Sequence, residues 1–250
     1  MSQVHLAASL VTTTNATSYT TPSFTPEAGD LIFVVATLAD VGNPNNLTVS
    51  DSVDGAYYGG WFNPTYDTRY DPFRWHGAWG YVCPSAPTAT ARTVTVAITS
   101  PTATGCTIHV LLIKNATAYG ANACRQNTYK FTYSNSDSST TPTVTFASAP
   151  LSSSVIVGVV ASRTPAPLSA PTGFTQQANA AHADPDNGVE ICAALGSTGT
   201  TLTWGGSTIR YVVMAWEFKN TGVPHQDPVV VPDIDAITLN SYEIKVLTGR

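Results

Sequence analysis

The chain has 250 residues, of which 43% are hydrophobic and only 11% charged, with a formal net charge of −5. That apolar share is too high for a disordered chain. The acidic balance argues against a binder of phosphate backbones, which needs a basic stripe. The longest apolar runs fall well short of the ~20 residues of a membrane helix. The polar share is carried by Ser, Thr, Asn and Gly rather than by charges, so the expected surface is lightly solvated and tolerates close packing against neighbours. Met1-Ser2-Gln3-Val4-His5-Leu6 has no basic n-region and no long apolar h-region, so the expected site of folding is a cytoplasm, without a cleavable signal.

In chain order, the periodicity is that of strands. Thr20-Thr21-Pro22-Ser23-Phe24-Thr25 precedes the apolar run Leu31 to Ala36. Arg92 to Thr99 alternates polar and apolar residues strictly, as a half-buried strand does. A second apolar run, Ile108 to Ile113, stops at Lys114-Asn115. The same text then recurs. Thr140-Thr141-Pro142-Thr143-Val144-Thr145 precedes Val155 to Val160, and the run from Ile209 stops at Lys219-Asn220. Thr143 to Phe146 and Thr200 to Trp204 alternate on a smaller scale. The β-branched runs at 31–36, 108–113, 155–160 and 209–216 suit central strands buried on both faces. Turn signals fall at Glu27 to Asp30, Asp54-Gly55, Thr104-Gly105, Asn187-Gly188 and Gly205-Gly206. A repeat this long is a domain rather than a solenoid unit. The pattern predicts an all-β protein of two tandem jelly-roll or Ig-like sandwiches, residues 1–118 and 119–220. Residues 221–250, broken by Pro224, Pro228 and Pro232, form an extended C-terminal arm. The arm either covers an edge of its own domain or adds a strand to a neighbouring subunit.

The densest chemistry lies at 57–81, read as an insertion present only in the first repeat. It holds Tyr57, Tyr58, Trp61, Phe62, Tyr66, Tyr70, Phe73, Trp75, Trp79 and Tyr81, interleaved with Asp67, Arg69, Asp71, Arg74 and His76. Aromatics with Arg anchor interfaces because they bury large areas and keep a polar handle. Three readings stand: a subunit contact, a cap over its own sandwich, or a platform for stacking sugars. The candidate interface or ligand residues are Tyr58, Trp61, Phe62, Tyr66, Tyr70, Phe73, Arg74, Trp75 and Trp79.

Other constellations carry less. Cys83, Cys106, Cys124 and Cys192 are widely spaced, and Cys83 and Cys192 are read as matching positions of the repeats, small buried hydrophobes rather than a disulfide. Asp184 to Glu190 resembles part of a calcium loop but lacks the bidentate acid, and an Asn-Gly turn explains it better. The sequons at Asn15, Asn46 and Asn115 read as chance in a Thr-rich chain. There is no G-x-S-x-G elbow, no paired His of zinc spacing among His5, His76, His109, His182 and His225, and no phosphate cradle. Asp67 and Asp71 lack the setting of a catalytic carboxylate pair. His109 reads as a strand residue facing polar surroundings. No enzyme, cofactor, metal, nucleic acid or membrane is expected.

Thr21 to Asp30 leading into the strand at 31–36, then Val49-Ser50-Asp51-Ser52-Val53-Asp54-Gly55, then Thr93-Val94-Thr95-Val96, resemble the Ser/Thr-rich β-sandwich structural proteins of tailed bacteriophages. Those are capsid decoration, minor capsid and minor tail components. The resemblance implies a non-enzymatic virion protein, a decoration or minor capsid component that packs on a shell. Its partners would be the major capsid or other virion proteins, or further copies of itself in an oligomer or lattice. A minor tail or fibre protein is the alternative within that class. A carbohydrate-binding module or adhesin, using Trp61, Trp75 and Trp79 on a glycan, is the rival from another.

Overall fold

The computed structural model describes residues 3–41, 47–66, 75–98, 103–131, 139–162, 168–182, 187–196, 198–206 and 211–220. These residues form antiparallel strands and one three-residue 3-10 turn, Gly120–Asn122. The first nine strands are β1 (Val4–Ala16), β2 (Ser18–Thr20), β3 (Leu31–Val41), β4 (Leu47–Asp51), β5 (Gly55–Ala56), β6 (Tyr58–Tyr66), β7 (Trp75–Val82), β8 (Val94–Ile98) and β9 (Ala103–Ile113). The next nine are β10 (Cys124–Phe131), β11 (Thr143–Thr145), β12 (Val155–Ser162), β13 (Leu168–Ser169), β14 (Thr175–His182), β15 (Asn187–Leu195), β16 (Thr201–Thr203), β17 (Gly205–Gly206) and β18 (Tyr211–Phe218).

The wiring is that of a jelly roll. In the first half one sheet runs β1-β9-β3-β7-β6 and the facing sheet runs β2-β8-β4-β5. The first strand pairs with the last, and the chain alternates between the sheets as it winds inward. It crosses from the small sheet to the large one at Tyr57, between β5 and β6. The second half has a large sheet β10-β18-β12-β15-β14, with β11 on β16 and β13 on β17 opposite it. Strand for strand the two large sheets have the same order.

The register extends the correspondence to residues. Leu31 pairs with Ile113 and Val155 with Phe218, while Phe33 pairs with Val82 and Val157 with Ala193. Cys192 therefore corresponds to Tyr81, not to Cys83, and the match of the two cysteines expected from the sequence is off by two positions. All four cysteines are free, three of them buried.

The large sheets pack face to face. Phe33 meets Trp216 edge-on, with ring centroids 5.0 Å apart, and Phe218 at 4.9 Å. On β12 the residues alternate between this shared layer (Val155, Val157, Val159, Ala161) and the core of the second sandwich (Ile156, Val160). Both faces of the central strands are covered, and every residue of β12 and β18 is buried. That is why these segments read as continuous apolar runs rather than alternating ones. Gly80 makes room in the shared layer: a Cβ there would stand 2.6 Å from the Trp216 ring and 3.0 Å from Phe33. At one edge β1 lies against β14, and at the other β6 lies against β10. Under the correspondence these are the same contact, so an approximate two-fold axis relates the halves. The molecule is thus four stacked layers, with the small sheets outermost.

Three turn expectations change, one of them at Gly205-Gly206, which is strand β17. Asn187 and Gly188 are strand residues of β15, because the Asn187 side chain donates across the layer to Thr37 (2.9 Å) and Thr107 (3.3 Å). Gly105, at φ 103°, lies within β9 opposite the bulge between Thr12 and Asn15. Its positive φ lets the strand bend there without ending.

Candidate functional site

Within 57–81, the described residues 58–66 and 75–81 belong to two paired strands rather than to an extra loop. β6 and β7 pair antiparallel with a register shift between Gly59 and Trp61, placing Trp61 opposite Gly80, Phe62 opposite Trp79 and Tyr66 opposite Trp75. The corresponding hairpin of the second half is β14–β15, so the wiring requires the element in both halves. It looked unique because β14 is built from Thr, Gln, Asn and Ala where β6 is aromatic. Trp79 is 2% exposed and belongs to the core, which removes it from any surface. Tyr57 is also buried, its hydroxyl donating to Asp51 at 2.9 Å, and the Tyr81 hydroxyl donates to the Leu47 carbonyl at 2.9 Å. Of the candidates with described side chains, Tyr58 alone is open, 43% exposed. For Trp61, Phe62, Tyr66 and Trp75 the backbone is described; Tyr70, Phe73 and Arg74 lie outside the described residues, as does the arm 221–250. Sequence reasoning passed over β10, which borders this hairpin and carries Tyr129, 55% exposed and stacked on Phe131 at 6.3 Å. The i, i+2 spacing of that pair on a strand was the available signal.

Several ionisable groups among the described residues are spent inside the sandwiches. Arg92, 1% exposed, donates to Asp51 at 2.9 Å, to Asp54, and to the carbonyls of Thr88 (2.9 Å) and Thr90 (3.3 Å). Burial works to raise the Asp51 carboxyl, but the amides of Asp54 and Val53, the Tyr57 hydroxyl and Arg92 outweigh it and hold the group below its usual range. Glu217 is similarly enclosed, accepting from the Leu151 amide (2.8 Å), the Ser154 hydroxyl (2.7 Å), Arg125 (2.5 Å) and Gln126 (2.6 Å). Burial pushes the Cys83 thiol up to about 12, so it stays protonated at neutral pH. Among the described residues no group of three or more His, Cys, Asp or Glu could hold a metal ion. Asp184 and Asp186 of the calcium-like stretch lie outside the described residues.

Two buried groups oppose each other in pH. His109 lies in the layer between the large sheets, with Nδ1 3.0 Å from the Ser9 hydroxyl and Nε2 without a partner. Burial alone pulls it down to about 4. Glu190 lies in the core of the second sandwich, where Oε2 accepts from the Trp204 indole and Oε1 has no partner. Burial pushes it up to about 7, against the bonds from Trp204 and Gln176. A base with a depressed folded pKa binds fewer protons folded than unfolded, so the His109 contribution is complete above 6.5 and is lost as pH falls towards 4. An acid with a raised folded pKa does the reverse, and the Glu190 contribution is complete below 4.5 and is lost as pH rises towards 7. Each shift corresponds to about 3 kcal/mol. The two slopes cancel between pH 4.5 and 6.5, so Glu190→Gln should make stability climb with pH across that window and His109→Gln should make it fall. Urea denaturation at closely spaced pH values reads both slopes, and parallel profiles for the two variants would contradict the assignment.

What remains for contact is the pair of outer faces. Thr20 and Thr95 share a hydrogen bond at 2.9 Å across β2 and β8. At the corresponding place in the second half Thr143 donates to Thr203 at 3.1 Å, and Thr145 and Thr201 share a bond at 3.2 Å across β11 and β16. Cross-strand threonine pairs of this kind satisfy their own hydroxyls and leave an uncharged face that costs little to desolvate. Because the small sheets are outermost, these faces lie on opposite sides of the molecule.

No known protein family and no curated protein matches the chain.

Proposed function

We propose that this protein is a non-enzymatic structural component of a phage particle, a decoration or minor capsid protein that packs on the shell. The observation that carries this reading is the pair of uncharged threonine faces on opposite sides of one four-layered body. A rigid block with two similar, easily desolvated faces suits repeated contact on a symmetric lattice, where many weak contacts act as linked binding events. The resemblance of Thr21–Val96 to tailed-phage structural proteins supports the same reading, as does the use of Arg92, Glu217 and Asp51 in holding the fold together.

The test is to charge the two faces. Thr20→Lys and Thr203→Lys lie on exposed strand surfaces, where substitutions change stability by about 0.5 kcal/mol or less. Both should fold as the parent does and be depleted from assembled particles. Incorporation at the parental level with both lysines present would overturn the reading.

A further inference from the structure

Among the described residues the large sheets have four edge strands, and the two sides of the molecule treat them differently. β6 and β10 form one side, β1 and β14 the other. An edge strand presents unpaired amides and carbonyls, and soluble proteins blunt it with charge or proline. The first side follows that rule: β10 carries Arg125 and an exposed Lys130, and β6 carries Pro64. The second does not. β1 runs for 13 residues and β14 for 8 without a Lys, Arg, Asp, Glu or Pro, and Leu6 and Val11 of β1 are 38% and 42% exposed. The correspondence of the halves sharpens the contrast. Lys130 lies opposite Val213 and Leu10 opposite Ile108, which are equivalent positions of β18 and β9. Where the second half sets a lysine on its edge, the first has Leu10.

Hydrogen bonds fix which groups of β1 face outward. The Cys83 amide donates to the Ile32 carbonyl at 3.0 Å, and the Lys114 amide to the Gln3 carbonyl at 2.8 Å. Bonding alternates along an antiparallel strand, so Val110, Ile108 and Cys106 of β9 turn to β1, and their partners Ala8, Leu10 and Thr12 are bonded inward. Ser9 and Val11 therefore hold their amides and carbonyls to the outside, where no described strand takes them. Ala8 to Thr12 is the regular stretch between the two register shifts of β1, and Leu10 is its middle residue. We infer that two copies of the protein pair antiparallel along β1 about a two-fold axis at Leu10, joining their large sheets edge to edge. In this register Ser9 exchanges bonds with Val11 of the second copy, and the two Leu10 side chains meet on one face. The same axis turns the uncharged β14 edges toward each other. The edge measures about 40 Å along β1 and about 20 Å across both sheets, on the order of 800 Å² per copy, the size of a standard stable interface. A two-fold contact uses both β1 edges, so association closes at the dimer. The inference concerns one chain and its copy, and holds whether or not the protein belongs to a virion.

Sedimentation equilibrium on the full chain tests it. The parent should be a dimer at micromolar concentration. Leu10→Lys, which sets like charges directly opposite each other, should weaken the dimer at least about tenfold. Val11→Pro should do the same by removing an outward amide that its own sheet does not use. Tyr129→Pro, the same kind of change on the edge of β10, should leave the dimer intact. A parent that stays monomeric, a dimer that both β1 variants leave at full strength, or one that Tyr129→Pro weakens equally would each overturn the inference. Should the variants misfold, oxidation of Leu10→Cys decides, because a residue on the axis faces its own copy and the native cysteines are buried or half-buried. A mild oxidant should link two copies through that position at several times the yield from Thr12→Cys, which the register sets opposite Ala8. Equal yields would refute the pairing.

Discussion

Trp216→Ala is expected to lower the unfolding free energy by about 3–5 kcal/mol, the cost of deleting a large aromatic from a closed core. Trp216 is 1% exposed, and its indole nitrogen has no partner, so the loss is one of packing rather than of a hydrogen bond. Its ring fills the layer between the large sheets, against Phe33 and over Gly80. The consequence reaches further than one side chain. The shared layer draws on strands from both halves, and neither large sheet can hide its inner face without the other. The intact protein should therefore unfold in one transition. The variant should show either a much lower midpoint or two separated transitions, while Trp216→Phe recovers most of the loss. A Trp216→Ala protein with an unchanged midpoint in urea would show that the halves do not depend on each other.

Arg92→Leu is expected to cost a similar amount, about 3–5 kcal/mol, because it strands a buried carboxylate. Asp51 keeps its bonds from the Val53 and Asp54 amides and from Tyr57, but loses the only cation that faces it among the described residues. The pH dependence distinguishes this cause from simple loss of packing. In the parent, the Asp51 carboxyl is held below its usual range, so its contribution is present above the ordinary carboxylate pKa and is lost as pH falls through the folded value. Without Arg92 the carboxyl loses one of the bonds that hold it down and takes up its proton at a higher pH than in the parent, so the variant loses less on acidification. The gap between parent and variant should narrow steadily as pH drops below about 4. A gap independent of pH would assign the effect to the arginine stem alone. Arg92→Lys, which keeps the charge but not the planar fork, should fall between the two.

The strands were legible and the layers between them were not. The runs at 31–36 and 155–160 read as two-faced central strands because continuous apolar text has few other uses, and Arg92 to Thr99 gave β8 by its alternation. The text could not say what lay on the second face, because Phe33 and Trp216 are brought together only by the packing of sheets far apart in sequence. Arg92 and Asp51 stayed hidden for the same reason: nothing local joins a strand end to a turn across the sandwich. The aromatic density at 57–81 misled in a specific way. Composition marked it as an insertion, while topology makes it the counterpart of a hairpin written in Ala and Gln. Trp79, one of three platform residues expected with Trp61 and Trp75, is core because its strand lies inside its sheet. Tyr129 lies on a strand too polar to attract notice, and Thr203 on one legible by its alternation, and both remain at the surface once the cores are closed.

The proposed role of the protein is the packing of many copies on a particle. The direct measurement is its copy number in purified particles from the source organism, by quantitative mass spectrometry against the major shell protein. Copies on the order of hundreds, scaling with the symmetry of the shell, are the predicted result for a decoration or minor capsid role, in which linked weak contacts hold each copy in place. Particles that lack the protein altogether would contradict the account.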